Sequence, residues 1–142
     1  MLVIPAFALA RSQEIMFLIE KIFRQHPELE IPFHVNSPMI EEVTKLYERF
    51  AKSTRLKSKE AQRAYHLGHY IEWVKESIQL NKRSGPMIIL AASGMLSAGR
   101  VVHHLKAFAD DPQNTILLTG FQAPETAGRE IEEGAKRVYV NG

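Results

Sequence analysis

Two stretches, "MIILAA" (Met87–Ala92) and "TILLTG" (Thr115–Gly120), are almost unbroken apolar runs that stop at small residues. A strand with one wet face would alternate apolar and polar residues, and a surface helix would repeat its apolar positions every three or four. A short continuous run, bounded by turn residues, fits a strand buried on both faces. Such a strand needs helices above and below it. Each run passes through small residues into a helical pattern, so the chain is expected to be α/β: three layers, with a mostly parallel five-stranded sheet and helices on both faces.

The other elements are placed around that constraint. Strands are expected at Leu2–Leu9, at Ile31–Asn36 with a proline near its start, and at Met87–Ala92 and Thr115–Thr119, with a last one in "RVYVN". After the first strand, "RSQEIMFLIEKIFRQH" carries Ile15, Phe17, Leu18, Ile19, Ile22 and Phe23 at helical spacing. In "SPMIEEVTKLYERFAK", Ser37 can cap a helix, Pro38 suits its first turn, and Glu41 and Glu42 lie near the positive end of the dipole. Residues 53–84 are the least regular part, with a polar turn in "STRLKSKEAQR" and a helix from about Tyr70. Ile71, Trp73, Val74 and Ile78 are expected to face inward there. Further helices are expected from about Ser97 to Ala109 and near Thr126–Gly134.

At 142 residues with 45% hydrophobic composition, the chain can bury one sizeable core and is read as one domain over 1–142. A formal net charge of +2 gives no bulk basic character, so a nucleic-acid contact would have to come from local clusters or backbone amides. The absence of cysteine removes disulfides and thiolate metal sites and fits a reducing cytoplasm. "MLVIPAFALA" is too short to span a bilayer, which takes ~20 residues, and it lacks a basic n-region. No membrane partner is expected.

The two corners after the buried strands share one design. "SGMLSAGR" places Ser93, Gly94, Met95, Ser97 and Gly99 before Arg100, and "GFQAPETAGR" places Thr126 and Gly128 before Arg129. In parallel sheets, ligands bind beyond the carboxyl ends of the strands. Glycine lets an anion approach the backbone, amides at a helix start favour it, and arginine adds a forked donor. Adjacent strands would set both corners on one rim. The same residues are also ordinary strand-to-helix punctuation, and spacing alone gives that reading the greater weight. Neither corner has the phosphate-loop spacing or G-x-G-x-x-G.

Four ordered blocks add a resemblance: "VIPAFALARSQEIMFLI", "VNSPMIEEVTKLY", "IILAASGMLSAGRVVHHLK" and "NTILLTGFQAPETAGREIEEGAKRV". Together they resemble the β-CASP region, or RNA specificity domain, of metallo-β-lactamase-fold RNA-processing nucleases. That family includes relatives of bacterial ribonuclease J and the nuclease subunit of the cleavage and polyadenylation factor. The resemblance covers nearly the whole chain and is weakest over 53–84. Its pattern has Gly where Ala10 stands, aspartate in place of Asn36, alanine in place of Ile40 and commonly glycine in place of Glu125. Asn36 removes a charge near a helix start, and Glu125 adds one beside the second corner.

The resemblance implies a segment of a larger zinc-dependent ribonuclease, an endo- or exonuclease acting in RNA processing or decay. Its two zinc ions would be held by the metallo-β-lactamase part, whose H-x-H-x-D-H motif is not in this sequence. No catalytic residue, metal ligand or cofactor is assigned to this chain, which by itself is expected to be inactive. Ser93, Gly94, Met95, Arg100, Thr126, Gly128 and Arg129 would contact single-stranded RNA. The partners implied are that RNA and the metallo-β-lactamase domain, with a homo-oligomer also open. The alternative, reached from the residues, is a stand-alone doubly wound module for a nucleotide or phosphorylated metabolite.

The remaining chemistry is sparse. His66 and His69 stand three apart, with no third metal donor evident nearby. His34 is read as a half-buried hydrogen-bonder, and His103 and His104, which match the family's "HHL", as serving helix packing or an interdomain contact. Glu130, Glu132 and Glu133 read as a solvated helix face. Arg55, Lys57 and Lys59 read as a solvated loop or, less favoured, as RNA-backbone contacts. Trp73 reads as core in preference to a base-stacking platform.

Overall fold

The fourth strand shows why "MIILAA" holds no polar residue. Its side chains alternate between two separate cores: Ile88 and Leu90 pack into one, Ile89 and Ala91 into the other. The computed structural model describes residues 1–53 and 58–140, and among these five strands form one parallel sheet. They are β1 (Leu2–Pro5), β2 (Phe33–Val35), β3 (His69–Tyr70), β4 (Ile88–Ala91) and β5 (Thr115–Ile116), in the spatial order β3-β2-β4-β1-β5. β1 lies between β4 and β5, with Leu2 in register with Ile88 on one side and Thr115 on the other.

Helices α1 (Arg11–Gln25), α2 (Pro38–Arg49) and α3 (Ser58–Tyr65) contribute Ile15, Met16, Phe23, Ile40, Ala61 and Tyr65 to the first core. On the opposite face, α4 (Val74–Leu80), α5 (Arg100–Phe108) and α6 (Ala127–Glu132) contribute Leu80, Val101, Val102, Leu105, Phe108 and Ala127. The layers are therefore helix, sheet, helix. The α2 start forms as its sequence dictates: Ser37 accepts a hydrogen bond from the Ile40 N–H, and Pro38 opens the helix.

Several expectations are corrected. "TILLTG", expected to be a strand over Thr115–Thr119 buried on both faces, supplies only the two-residue β5. Thr115 and Leu117 are exposed because β5 stands at the edge of the sheet with β1 on one side alone. The fifth strand is β3, not "RVYVN". Val138 and Val140 pack against the second core, but residues 137–140 form no ladder, and Asn141 lies outside the described residues. The helix expected from Tyr70 begins at Val74, because Tyr70 is committed to β3. Ile71 is buried as expected, whereas Trp73, Val74 and Ile78 are exposed. The seven-residue α4 instead turns Ser77 and Leu80 inward. Arg55 and Lys57 lie outside the described residues, and Lys59 is exposed on α3. His34 is buried, yet neither ring nitrogen has a hydrogen-bond partner among the described residues. Burial, then the charges of Arg83 and His69, lowers its pKa below the usual imidazole value.

Candidate nucleic-acid interface

The two glycine-bearing corners leave the carboxyl ends of β4 and β5. These strands are not adjacent, as the shared corner design suggests, but flank β1 on either side. The corners nonetheless touch. The Gly128 N–H donates to the Met95 carbonyl at 3.1 Å. The Gln122 side-chain amide donates to the Gly94 carbonyl at 3.1 Å and to the Gly120 carbonyl at 2.9 Å. Thr119 ties the same rim to β1 through its hydroxyl, 3.1 Å from the Pro5 carbonyl.

Local chemistry explains how each corner is shaped. Gly99, just before α5, has φ +83°, and a Cβ there would lie 2.4 Å from the Ala92 carbonyl oxygen, so only glycine fits. At Gly128 the restriction is spatial: a Cβ would come within 1.8 Å of Gln122 Oε1. Thr126 caps α6, accepting from the Arg129 N–H at 3.2 Å while donating to the Ala123 carbonyl at 2.7 Å. Ala10 and Glu125, two positions where the family pattern carries glycine, both adopt left-handed backbone, with φ +66° and +64°. A side chain in that region is strained by about 1–2 kcal/mol.

The arginines differ. Arg100 is directed away from the corner, across to the β2–β3 side. Its Nη1 donates to Asn36 Oδ1 at 2.8 Å and to the Ile71 carbonyl at 2.7 Å, and its Nη2 donates to the Glu72 carbonyl at 2.7 Å. Arg129 lies on the surface, held by Glu133 at 2.7 Å and Glu132 at 3.2 Å. Those two carboxylates therefore do more than coat the helix. The Ser93 hydroxyl and the Met95 N–H have no hydrogen-bond partner among the described residues, whereas the Gly128 and Arg129 N–H groups are engaged.

Behind Arg100 lies a buried polar network that the sequence does not disclose. Asn36 Nδ2 donates to Ser77 Oγ at 2.7 Å and approaches His104 Nε2 at 2.6 Å. His104 Nδ1 meets Asn81 Oδ1, while the Asn81 amide donates to the His103 carbonyl. Since Asn81 presents its oxygen, His104 carries its proton on Nδ1 and accepts at Nε2. His104 is fully buried; that burial, with His103 and Arg100 nearby, pushes its pKa down to about 4. Asn36 satisfies both amide hydrogens and its oxygen in this arrangement.

Among the described residues, no three His, Cys, Asp or Glu side chains are grouped to hold a metal ion. His66 pairs with Glu48 at 2.9 Å, whereas His69 stands edge-on to His34 with ring centroids 5.8 Å apart. The donors present do not fit zinc, and no step through a metal is assigned to this chain. No helix is long and apolar enough to cross a membrane among the described residues.

Residues 12–131 match the family model described as the Beta-Casp domain. The chain belongs to the Beta-Casp family. This Beta-Casp domain is 35% identical to "Ribonuclease TTHA0252" of Thermus thermophilus, an alignment covering 98% of the chain and 33% of the relative. It is 36% identical to "RNase J-like protein" of Methanocaldococcus jannaschii, over 96% of the chain and 32% of the relative. "Transcription termination factor FttA" of Methanosarcina mazei is 33% identical, over 99% of the chain and 23% of the relative. The Beta-Casp domain thus spans a third or less of the length of these relatives.

Proposed function

We propose that this Beta-Casp domain is the substrate-gripping segment of a larger RNA-processing ribonuclease, and that its rim steers single-stranded RNA by backbone contacts. The observation that carries the reading is the joining of the β4 and β5 corners into one unit at the carboxyl rim, in a domain similar to named ribonucleases. The Ser93 hydroxyl and the Gly94–Met95 backbone take one phosphate, and Arg129 takes a neighbouring one by exchanging its Glu132 and Glu133 partners. Thr126 and Gly128 shape the second corner, and Arg100 holds the first against the β2–β3 side. Cleavage falls to two zinc ions in a metallo-β-lactamase part of the parent protein, working in the cytoplasm.

The competing nucleotide-binding reading has no support from a phosphate-loop or dinucleotide motif. Fluorescence anisotropy with a labelled oligouridylate tests the proposal on the 142-residue chain. Weak binding is expected, falling with salt at a slope of about −0.7 per phosphate held, with no cleavage when zinc is added. Zinc-dependent cleavage by this chain would overturn the reading, as would tight binding that ignores salt.

A further inference from the structure

We infer that Gln122 is a positioning residue, whose side-chain amide orients the Gly94–Met95 peptide so that the Met95 N–H points out of the corner towards an RNA phosphate. The inference rests on the proposed role of the rim and adds how its donor is aimed.

Gln122 is 1% exposed, in a turn where a polar side chain would ordinarily reach water. Both hydrogens of its amide are spent on carbonyls of different corners, Gly94 from the first and Gly120 from the second. A trans peptide is planar, with its carbonyl and the following N–H on opposite sides. Fixing the Gly94 carbonyl against Gln122 therefore turns the Met95 N–H the other way. The next peptide is fixed in the same manner. The Met95 carbonyl accepts from Gly128, and the Leu96 N–H is directed back to the Ser93 carbonyl at 3.3 Å. The Met95 N–H has no partner among the described residues, nor have the Gly94, Ser97, Ala98 and Gly99 amides. Of these, Met95 is the one whose own peptide carbonyl is held by Gln122, and it is half-buried.

The arrangement has a cost that a purely structural glutamine would avoid. Gln122 Oε1 is buried without a hydrogen-bond partner among the described residues, pressed against Gly128. An apolar residue of similar volume would fill the space without that penalty, but it would release the Gly94 carbonyl. Keeping the amide fits a requirement for two donors at one point. A donor aimed before the ligand arrives needs no reorganisation on binding.

The test uses the ¹⁵N-labelled 142-residue chain, titrated with hexauridylate while the backbone amides are followed by NMR. In the wild type, the Met95 amide shifts as RNA is added. In Gln122→Met, with the fold retained by the remaining amide pattern, affinity falls about tenfold and the Met95 response is lost, as expected for one charge-assisted hydrogen bond. Gln122→Glu supplies a second readout. At neutral pH its carboxylate faces two carbonyl oxygens and offers no donor; once protonated at acid pH, its O–H can donate to Gly94. Affinity relative to Gln122→Met, measured at the same pH, then recovers on acidification. If Gln122→Met fails to fold, this pH pair carries the test, read as the recovery of Gln122→Glu relative to wild type. Wild-type affinity and an unchanged Met95 shift in Gln122→Met would overturn the positioning role while leaving the rim's RNA contact intact. Absence of any rim response in the wild type would overturn both.

Discussion

Replacing Asn36 with aspartate should invert the acid sensitivity of the domain. In the wild type, His104 is buried and neutral, its Nε2 occupied by the Asn36 amide, and its pKa lies at about 4 against an ordinary 6.5. Between those values the unfolded chain binds a proton that the native state refuses. Stability contributed by the neutral ring is thus fully present above pH 6.5 and is lost as pH falls towards 4. A difference of roughly 2.5 units corresponds to about 3 kcal/mol, with a slope near ~1.4 kcal/mol per unit in mid-window. The aspartate would place a carboxylate oxygen where the amide now stands, still facing Arg100 Nη1 and the Ser77 hydroxyl. A protonated His104 would then donate both to that carboxylate and to Asn81, raising its folded pKa above the ordinary imidazole value. For that pair the sign reverses: stabilisation is complete below the unfolded value and is lost as pH rises through the folded one. Urea midpoints measured from about pH 4 to 8, which takes in the wild-type window and the pH range above it, read both effects when the His104 ring is followed by NMR. His34, whose pKa is also lowered, adds to the wild-type slope but is untouched by the substitution. Equal acid slopes in wild type and Asn36→Asp would refute the assigned tautomer and the network built on it.

Other outcomes follow from the rim. Ala10→Gly and Glu125→Gly should each raise stability by about 0.5–1 kcal/mol in urea melts, because both relieve left-handed strain; destabilisation by either would contradict that account. Gly128→Ala should cost about 1–3 kcal/mol, since its Cβ meets Gln122 Oε1, and a wild-type melting temperature would show that the two corners are not in contact. Arg100→Ala should lose about 2–3 kcal/mol in the same melts by stranding the carbonyls of Ile71 and Glu72 and the Asn36 oxygen. Arg129→Ala should leave the urea midpoint in place yet flatten the salt dependence of RNA binding by about 0.7, and an unchanged slope would remove Arg129 from the interface.

The layered architecture is legible because Ile88, Ile89, Leu90 and Ala91 feed two cores in turn, and only a sheet covered on both faces demands that of one strand. What escapes has equally physical causes. β3 is the dipeptide His69–Tyr70, too short to carry a period. In "RVYVN", Val138 and Val140 alternate inward, and alternate burial looks the same with or without a ladder. An inward placement of Trp73, Val74 and Ile78 follows the usual behaviour of apolar residues; here Asn36 draws α4 in by Ser77. At the candidate site, the small residues of both corners can be read from the sequence. The direction of Arg100 cannot, since its partners Asn36, Ile71 and Glu72 are remote along the chain. Gln122 stays hidden because nothing in "GFQAPE" announces a buried amide. Two departures from the family pattern are a better signal: Ala10 and Glu125 share positive φ with Leu96 among the non-glycine residues described.

The position of β1 has a consequence for the order in which the sheet assembles. Of the five strands it is the earliest to be synthesised, and its neighbours are not made until residues near Ile88 and Thr115 have followed. Until then "LVIP" has two bare hydrogen-bonding edges, the condition under which nascent chains stick to one another. Because such distant pairings carry a heavy closure entropy, folding is expected to be slow and close to all-or-none. A chain stopped before Thr115 should therefore collect in the insoluble fraction, whereas one that includes β5 should not.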